Sequence, residues 1–275
     1  MDSFQNLDIL IDLALEEDLQ DNGDITSESI FSNEKHVFKL MSKDKGVLCG
    51  IDVFIMAIHR IDSKVIITKN FSDGNIIDKG DIIAKVSGSV LSILRAERTS
   101  LNFISLLSAI ATKTSKFVKE ANGRLIILDT RKTIPGFRQL QKYAVRCGGG
   151  SNHRMGLYDM VMIKDNHIDA SGGISAAVEK VRKKWDNRFK IAVETRSLAE
   201  VEEALACRVN RIMLDNMTEN EMIEAVKIIG DICETEATGN ISLERIQNVA
   251  QTGVNFVSSG ELTHSVKAFD FTLRE

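Results

Sequence analysis

The sequence predicts an α/β protein in which a small α+β unit precedes either a shortened barrel of parallel strands or an open doubly wound sheet. Between Arg124 and Gly260, short β-type runs alternate with helical runs, and this rhythm is typical of a parallel sheet. The β-type runs are apolar along most of their length, as expected of strands covered on both faces. A complete eightfold barrel takes about 250 residues. Six strand runs therefore predict a shortened barrel or an open sheet.

The amino-terminal part of the chain mixes helical and strand spacing. Apolar residues of LDILIDLALEEDL recur at helical intervals, whereas the short β-rich runs are HVFKLMS, GVLCG, KVIITK and DIIAKVSG. Near Leu91 a long helical run begins, and Asn122-Gly123 marks its carboxyl end. This pattern predicts a small α+β unit and a long helix that leads into the repeats.

The repeats themselves supply six strands and four helices. The predicted strands are RLIILD, DMVMIK, FKIAVE, RIMLD, DICETEA and NFVSSG. The predicted helices are ISAAVEKVRKKW, LAEVEEALA, ENEMIEAVKII and LERIQNVAQ.

The composition excludes several classes of protein. Of the 275 residues, 43% are hydrophobic, which is enough for a conventional core and excludes disorder. No apolar run approaches the roughly 20 residues that span a bilayer, so we expect no membrane association. The opening MDSFQNLDIL is acidic where an export signal would be basic, so we expect a cytoplasmic protein. The net charge of −4 argues against nucleic acid as a partner.

The window from Asp129 to Lys164 departs from this acidic average. It holds seven Lys or Arg against two Asp, a net charge of +5, together with the only proline, Pro135. Three of its cations have spacing four in GFRQLQKYAVRC, and we interpret them as the solvated face of a helix: Arg138, Lys142 and Arg146. The other cations remain to be explained.

Polar residues follow the predicted strands, and the carboxyl ends of parallel strands lie together and host active sites. The cations and the histidine expected at this end are Arg131, Lys132, His153, Arg154 and Lys164. Like charges this close are costly unless an anion compensates them, so we expect a small polyanionic ligand. Glu194 and Asp215 could bind sugar hydroxyls or Mg²⁺, or form salt bridges with neighbouring cations. Thr238-Gly239-Asn240, before a helix, resembles a phosphate cradle.

The four cysteines form no C-x-x-C pair, so neither a zinc knuckle nor a dithiol motif is indicated. We expect free thiols in a reducing compartment. Cys147 stands out because it precedes a run of three glycines.

The run LDTRKTIPGFRQLQKYAVRCGGGSNHRMGLYDMVMIKDNH closely resembles the signature of the quinolinate phosphoribosyltransferases. The resemblance continues, in order and over most of the chain, through AERTSLNFI, IMLDNMT, ETEATGNIS and GELTHSVKAFDFTL. A match of this length is far more specific than a short glycine motif.

The resemblance implies a fold, a reaction and an assembly. The fold is an amino-terminal open-faced sandwich, residues 1–110 with 265–275 returning to it, and an incomplete α/β barrel, residues 111–264. The reaction joins quinolinate to 5-phosphoribosyl-1-pyrophosphate in the presence of Mg²⁺, giving nicotinate mononucleotide, pyrophosphate and CO₂ for NAD biosynthesis. The assembly is a homodimer in which the amino-terminal domain of one subunit completes the site of the other.

The resemblance also implies roles for single residues. Quinolinate would be bound by Arg131, His153, Arg154 and Lys164, with Arg98 entering from the partner subunit. Lys132 would lie near the reacting centre, and Glu194 and Asp215 near the ribose and the metal. The 5-phosphate would be held by Thr238, Gly239, Asn240, Ser259, Gly260 and His264. Asn240 and Glu261 depart from the common pattern of the family at the phosphate site.

Two other hypotheses remain open at this point. One is a paralogous pyrophosphorylase-like protein of molybdenum-utilisation loci, which shares much of the signature. The other is a non-catalytic dimer that binds a sugar phosphate or a dicarboxylate in the same pocket. The complete set of charged residues argues against the non-catalytic dimer, because lost catalysis normally leaves gaps among them.

Overall fold

The computed structural model describes residues 4–275. Residues 1–3, which belong to the opening segment interpreted above as lacking an export signal, lie outside the described residues. In chain order the elements are α1 (Leu7–Leu19), α2 (Ile25–Ile30), β1 (Lys35–Ser42), β2 (Gly46–Val47), α3 (Ile51–Ile61), β3 (Ile66–Lys69), β4 (Ile76–Ile77), β5 (Ile82–Ser89), α4 (Val90–Ala121), β6 (Ile126–Leu128), α5 (Arg138–Cys147), β7 (Val161–Ile163), α6 (Asp165–Ser171), α7 (Ile174–Trp185), β8 (Ile191–Thr195), α8 (Leu198–Ala206), β9 (Arg211–Asp215), α9 (Glu219–Ile229), β10 (Glu234–Thr238), a 3₁₀ turn (Leu243–Arg245), α10 (Ile246–Val249), β11 (Phe256–Ser258), α11 (Glu261–His264) and β12 (Phe271–Arg274).

The chain divides into two compact units. The first comprises the described residues up to Ser115 together with Ile134–Gly149 and Val266–Glu275, and the second comprises Lys116–Thr133 and Gly150–Ser265. The domain bounds expected from the sequence stay a prediction. They differ from the compact units mainly in 134–149, which packs with the first unit.

The first unit is built on a four-stranded antiparallel sheet in the order β12-β1-β5-β3. Helices α3 and α4 share one hydrophobic core with this sheet, in which Phe54 and Ile104 are fully buried. Val37 and Ile66 of the sheet are 46% and 68% exposed. Alternate residues of a strand point to opposite faces. One face of the sheet is therefore covered and the other open, as expected of an open-faced sandwich.

The second unit contains six parallel strands in the order β6-β11-β10-β9-β8-β7. Neighbours in the sheet are also neighbours in the chain, apart from the step from β6 to β11. A doubly wound sheet would reverse its order part-way, so this is the barrel alternative. Within residues 4–275, β6 and β7 do not pair with each other, so the barrel is incomplete.

The predicted elements of the repeats are confirmed except for one helix: the run LERIQNVAQ forms a 3₁₀ turn (Leu243–Arg245) and the four-residue α10 (Ile246–Val249). All six strands and the helices α7, α8 and α9 occupy the expected runs, and α4 ends where Asn122 and Gly123 take left-handed conformations. Side-chain caps explain the sharp starts: Ser197 accepts the Glu200 N–H, and Thr218 and Glu221 form a reciprocal capping box.

Lys142 corrects one sequence interpretation. The side chain is fully buried and takes part in interactions within the protein, so it does not lie on a solvated helix face. Four other residues of α5 are buried as well, because this short helix is covered on more than one side. Spacing alone does not show how many sides of a helix are covered.

No helix within the described residues is long and apolar enough to cross a membrane.

Candidate active site

A cavity of about 570 Å³ opens at the carboxyl ends of the strands of the second unit. Its walls come from strands and loops that are far apart in the chain, as the sequence pattern predicted. The predicted residues that line it are Arg131, Lys132, His153, Arg154, Lys164, Glu194, Asp215, Thr238, Gly239 and Asn240.

An adjoining cavity of about 300 Å³ shares Lys132 and the Thr238–Asn240 segment with the first. Three further predicted residues line it: Ser259, Gly260 and His264. The segment carrying them is tied back to the Lys132 loop, because the Thr263 hydroxyl donates to the Lys132 carbonyl at 2.7 Å. The two cavities therefore form neighbouring parts of one charged region.

A larger and shallower opening of about 960 Å³ lies at the amino ends of the same strands. Its charged side chains include Arg124, Lys190, Arg208 and Asp231, and all four are exposed. None of the predicted site residues lines this opening.

Arg154 is a cation of the carboxyl-end cavity that a backbone contact holds in place. One guanidinium nitrogen, Nη1, donates to the Met160 carbonyl at 3.0 Å, which fixes the side chain. Its Nε is buried and has no hydrogen-bond partner among the described residues. Burial, and then the charge of Arg131, lower the pKa of the Arg154 guanidinium, although an Arg stays charged at any ordinary pH. A half-buried charge with a buried, unused donor is what an anionic ligand would complete.

Lys164 and Glu194 form an ion pair across the ends of β7 and β8. The salt-bridge alternative raised for the acidic residues is thus present for Glu194, whose side chain is 14% exposed. The backbone N–H of Lys164 donates to Nδ1 of His167 at 3.0 Å, which closes the first turn of α6. His167 therefore orients the strand end that carries Lys164.

The side chain of Asp129 fixes the backbone segment that precedes Arg154 by hydrogen bonds. Its carboxylate is fully buried and accepts the His153 backbone N–H at 2.9 Å and the Asn152 side-chain amide at 2.5 Å. Nδ1 of His153 in turn accepts the backbone N–H of Arg154 at 2.7 Å. Because Nδ1 is an acceptor, this network assigns the proton of the neutral ring to Nε2.

Beneath the cavity, the side chain of Glu236 lies inside the sheet and contacts both Arg211 and His153. Its carboxylate is fully buried, and Oε2 lies 2.8 Å from Arg211 Nη1 and 3.3 Å from His153 Nε2. Burial alone would raise the pKa of Glu236, but the His153 ring and the Arg211 guanidinium outweigh burial and lower it. The carboxylate is therefore ionised at neutral pH and faces the ring that precedes Arg154.

The turn after β10 brings backbone close to a neighbouring strand end. Gly239 has a φ of +83°, and a Cβ there would lie 2.5 Å from the side-chain amide of Asn216. The side-chain amide of Asn240 donates to Asn216 Oδ1 at 3.0 Å. Only glycine fits this approach without displacing Asn216. The predicted cradle thus has a tight backbone turn.

Comparison with known proteins decides the family. Residues 24–108 match the amino-terminal domain of quinolinate phosphoribosyl transferase, and residues 110–274 match its carboxyl-terminal domain.

The chain belongs to the quinolinate phosphoribosyl transferase family.

Named relatives of this family align over nearly the whole chain. Quinolinate phosphoribosyltransferase [decarboxylating] 1 of Nicotiana glauca is 44% identical over 96% of the chain and 81% of its own length. A probable nicotinate-nucleotide pyrophosphorylase [carboxylating] of Bacillus subtilis is 40% identical over 91% of the chain and 87% of its own length.

Solved structures of the family superpose closely. NadC from Streptococcus pyogenes has a TM-score of 0.96 and 37% identity, covering 100% of the chain and 98% of its own. The nicotinate-nucleotide pyrophosphorylase from Francisella tularensis has a TM-score of 0.95 and 40% identity, covering 99% and 97%. The expected fold class, an incomplete barrel with a smaller amino-terminal domain, is confirmed.

Arg98, the residue that the family resemblance places in the partner's site, lies on α4 in the first unit with its side chain exposed. The cavity at the carboxyl ends is lined by residues of the second unit.

Several residues that line the larger carboxyl-end cavity were given no role in the sequence analysis. They are Thr130, Met162, Asp165, Met213, Asn216 and Ser258. The four polar ones lie at or directly after the carboxyl ends of predicted strands and so were expected at this end of the sheet, whereas Met162 and Met213 carried no such signal. The contact of His153 with Glu236 carried no sequence signal, because only the closing of the sheet brings these residues together.

Proposed function

We propose that this protein transfers the phosphoribosyl group of 5-phosphoribosyl-1-pyrophosphate to the nitrogen of quinolinate and releases pyrophosphate and CO₂, forming nicotinate mononucleotide. One observation carries the proposal: a chain of this family has a cavity lined by four cations and by three carboxylates, among them Glu194 and Asp215. Relatives that align over most of the chain are named for this activity.

Quinolinate carries two adjacent carboxylates and therefore suits a site with several cationic donors. Arg154 offers its unused Nε, and Arg131 and Lys164 line the same cavity. A substrate carboxylate would compete with Glu194 for Lys164, so binding exchanges one anionic partner for another. These residues hold the pyridine ring so that its nitrogen faces the anomeric carbon, which is catalysis by positioning.

His153 has a role different from the expected one in this proposal. Nδ1 is used by the Arg154 backbone, and Nε2 faces Glu236. We therefore assign His153 to positioning Arg154 rather than to direct contact with quinolinate.

The sugar phosphate fits the adjoining part of the site. Gly239 and Gly260 allow backbone N–H groups to approach a 5-phosphate, and Thr238, Asn240, Ser259 and His264 add polar side chains. In the family pattern, Glu261 takes the place of a smaller residue. It lines the smaller cavity, and its N–H donates to the Ser259 hydroxyl at 3.3 Å.

Glu194 and Asp215 fit the magnesium ion that the family implies. They lie on the neighbouring strands β8 and β9 and line the same cavity, and Mg²⁺ prefers one or two carboxylates together with substrate phosphates. When bound, Mg²⁺ supplies positive charge for the departing pyrophosphate.

The reaction needs no general acid from the protein, because the only proton it takes up comes from water. The pyridine nitrogen forms a bond to the anomeric carbon as the bond to pyrophosphate breaks, and the sugar gains positive charge that the nearby carboxylates favour. Lys132 stabilises the negative charge of the leaving group. The carbon–carbon bond to the 2-carboxylate then breaks, CO₂ leaves, and the electron pair on the ring takes a proton from water.

The deciding experiment incubates the purified protein with quinolinate, 5-phosphoribosyl-1-pyrophosphate and Mg²⁺, and follows nicotinate mononucleotide and CO₂. We expect both products in equal amounts. No product above a protein-free control would refute the proposal. Binding of both substrates without product would favour the non-catalytic dimer, and turnover of another aromatic acid only would favour the molybdenum-locus paralogue.

The same proposal includes a homodimer in which Arg98 acts across the interface. It also includes a cytoplasmic location. The exposed Arg98 and the family membership support the shared site. The four free cysteines are consistent with a reducing compartment.

A further inference from the structure

Two cysteines far apart in the chain lie side by side in the first unit. Cys49 precedes α3 and is fully buried, and Cys147 is the last residue of α5 and is half-buried. Their sulfur atoms and a carboxylate oxygen of Asp73 all lie within 4.8 Å of one another. The proposed reaction does not use this cluster.

Asp73 is already held by hydrogen bonds. Its Oδ1 accepts the backbone N–H of Ile51 at 3.0 Å, which caps the start of α3, and its Oδ2 accepts the Tyr143 hydroxyl at 2.7 Å. These contacts explain Asp73 as a structural residue that joins α3 to α5. They leave the two thiols as the chemically unassigned part of the cluster.

The two thiols differ in acidity. The neighbouring Cys49 thiol lowers the pKa of Cys147 in spite of its burial. Burial raises the pKa of Cys49. Cys147 is therefore the better nucleophile, and Cys49 keeps its proton. The charge of the nearby Asp73 carboxylate opposes a thiolate at Cys147, and the cationic Arg146, adjacent to Cys147 and 5.6 Å from the Tyr143 ring centroid, offsets part of that effect.

We propose that Cys49 and Cys147 form a reversible disulfide when the protein meets a peroxide, with Cys147 as the attacking thiol and Cys49 as the resolving thiol. Sulfur atoms this close reach the bonding distance of about 2 Å by side-chain rotation and a small backbone shift. The site lies within the first unit, so it does not depend on the proposed phosphoribosyl transfer.

The chemistry balances with hydrogen peroxide as the oxidant. The Cys147 thiolate attacks one peroxide oxygen, an S–O bond forms, the O–O bond breaks, and hydroxide leaves and is protonated to water. The Cys49 sulfur then attacks the sulfenic sulfur, the S–S bond forms, and the S–O bond breaks. The leaving hydroxide takes the Cys49 proton as a second water. Two thiols lose two electrons, and one peroxide becomes two waters.

A bound metal ion is the competing explanation of the cluster. Two thiolates and a carboxylate could hold zinc. The charge of Arg146 opposes a cation here, and both carboxylate oxygens of Asp73 already accept hydrogen bonds. We therefore favour the disulfide and make zinc an outcome of the test.

The test treats the full-length, dithiothreitol-reduced protein with a few equivalents of hydrogen peroxide. Remaining thiols are blocked with iodoacetamide in denaturant, and peptides are analysed by mass spectrometry without reduction. We expect the Cys49–Cys147 cross-linked peptide, reversed by dithiothreitol. We also expect Cys147 to be oxidised roughly tenfold faster than Cys233, whose thiol is made less acidic by burial.

Matched variants identify the attacking thiol. In Cys49→Ser, Cys147 should stop at a sulfenic acid that dimedone traps. In Cys147→Ser, Cys49 should stay reduced, and Cys233→Ser should behave like the wild type. The wild-type measurement needs no variant, so a variant that fails to fold leaves the test intact.

Three results would overturn the proposal. The first is an unmodified Cys49–Cys147 pair while Cys207 or Cys233 is oxidised. The second is a cross-link only between separate chains. The third is one zinc per chain in the protein as isolated, released by a mercurial reagent together with exposure of Cys49 and Cys147.

Discussion

The openings at the two ends of the parallel sheet differ in size, but the more informative difference is how far their charged side chains are exposed to water. The amino-end opening is the larger, about 960 Å³ against about 570 Å³, but its Arg, Lys and Asp side chains are exposed to water. At the carboxyl end Arg131 and Lys132 are exposed as well, but Arg154 is partly desolvated with an unused donor, and Glu194 is mostly buried. Removing charge from water is costly. A site is therefore better recognised by desolvated charge than by volume.

The strongest test of this difference removes one arginine from each end. Arg154→Ala should raise the KM for quinolinate about 100-fold or more, because losing one partner of a desolvated charge pair costs roughly 3 kcal/mol. Arg124→Ala, at the exposed amino end, should change KM and kcat by less than about twofold. Steady-state kinetics and thermal melting of both variants would check this. Equal losses of activity, or an unfolded Arg154→Ala, would show that Arg154 is a structural ion-pair partner.

A mixing experiment asks whether the carboxyl end is complete within one chain. Arg98→Ala and Lys132→Ala should each be inactive alone. If Arg98 acts across a dimer interface, random exchange of subunits makes half of the dimers mixed, each with one intact site, so about a quarter of the wild-type activity returns. Mixed dimers verified by mass spectrometry but inactive would place Arg98 in the site of its own chain or outside catalysis.

The Glu236→Gln variant tests how much the buried carboxylate beneath the carboxyl-end cavity contributes to stability. We expect a loss of about 3 kcal/mol in the free energy of unfolding, because Arg211 and His153 lose a buried ionised partner. The folded pKa of Glu236 is below its ordinary value, so its stabilisation is present above that value and is lost as the pH falls through the folded pKa.

The gap in unfolding free energy between wild type and Glu236→Gln should therefore stay constant from pH 7 down to the ordinary glutamate pKa of 4.5 and shrink below it. Urea unfolding at several pH values measures it. A gap that stays constant with pH would mean that the carboxylate contributes packing rather than charge.

The smallest expected effect comes from two glycine variants, which distinguish strain of the backbone from a steric clash with Asn216. Gly239→Ala and Gly230→Ala both place a side chain at positive φ, but a Cβ at Gly239 would clash with Asn216 whereas a Cβ at Gly230 meets nothing within 4 Å. Both should lose about 1 kcal/mol of stability. Only Gly239→Ala should also raise the KM for 5-phosphoribosyl-1-pyrophosphate, about tenfold. Equal KM values in the two variants would remove Gly239 from the phosphate site.

Much of this fold and site could be predicted because the information was local. The βα rhythm located all six strands, and strand-end polarity, the cationic window and the family resemblance together located ten residues that line one cavity. Helix α6 was missed because DNH has the composition of a loop, and its first turn is closed by the His167 ring. The contact of Glu236 with His153 and Arg211 depends on which strands become neighbours. That information is not carried by the period or composition of any single segment.

The antiparallel sheet of the first unit has an outer strand supplied from the far end of the chain. β12 pairs along β1, with Leu40 opposite Leu273. During synthesis on the ribosome, residues 271–274 emerge after the whole parallel sheet has been made, so β1 has an open edge until then. Open strand edges invite pairing with other nascent chains, and charged residues on them discourage it. Lys35 and Lys39 of β1 would reduce such pairing until the last strand arrives.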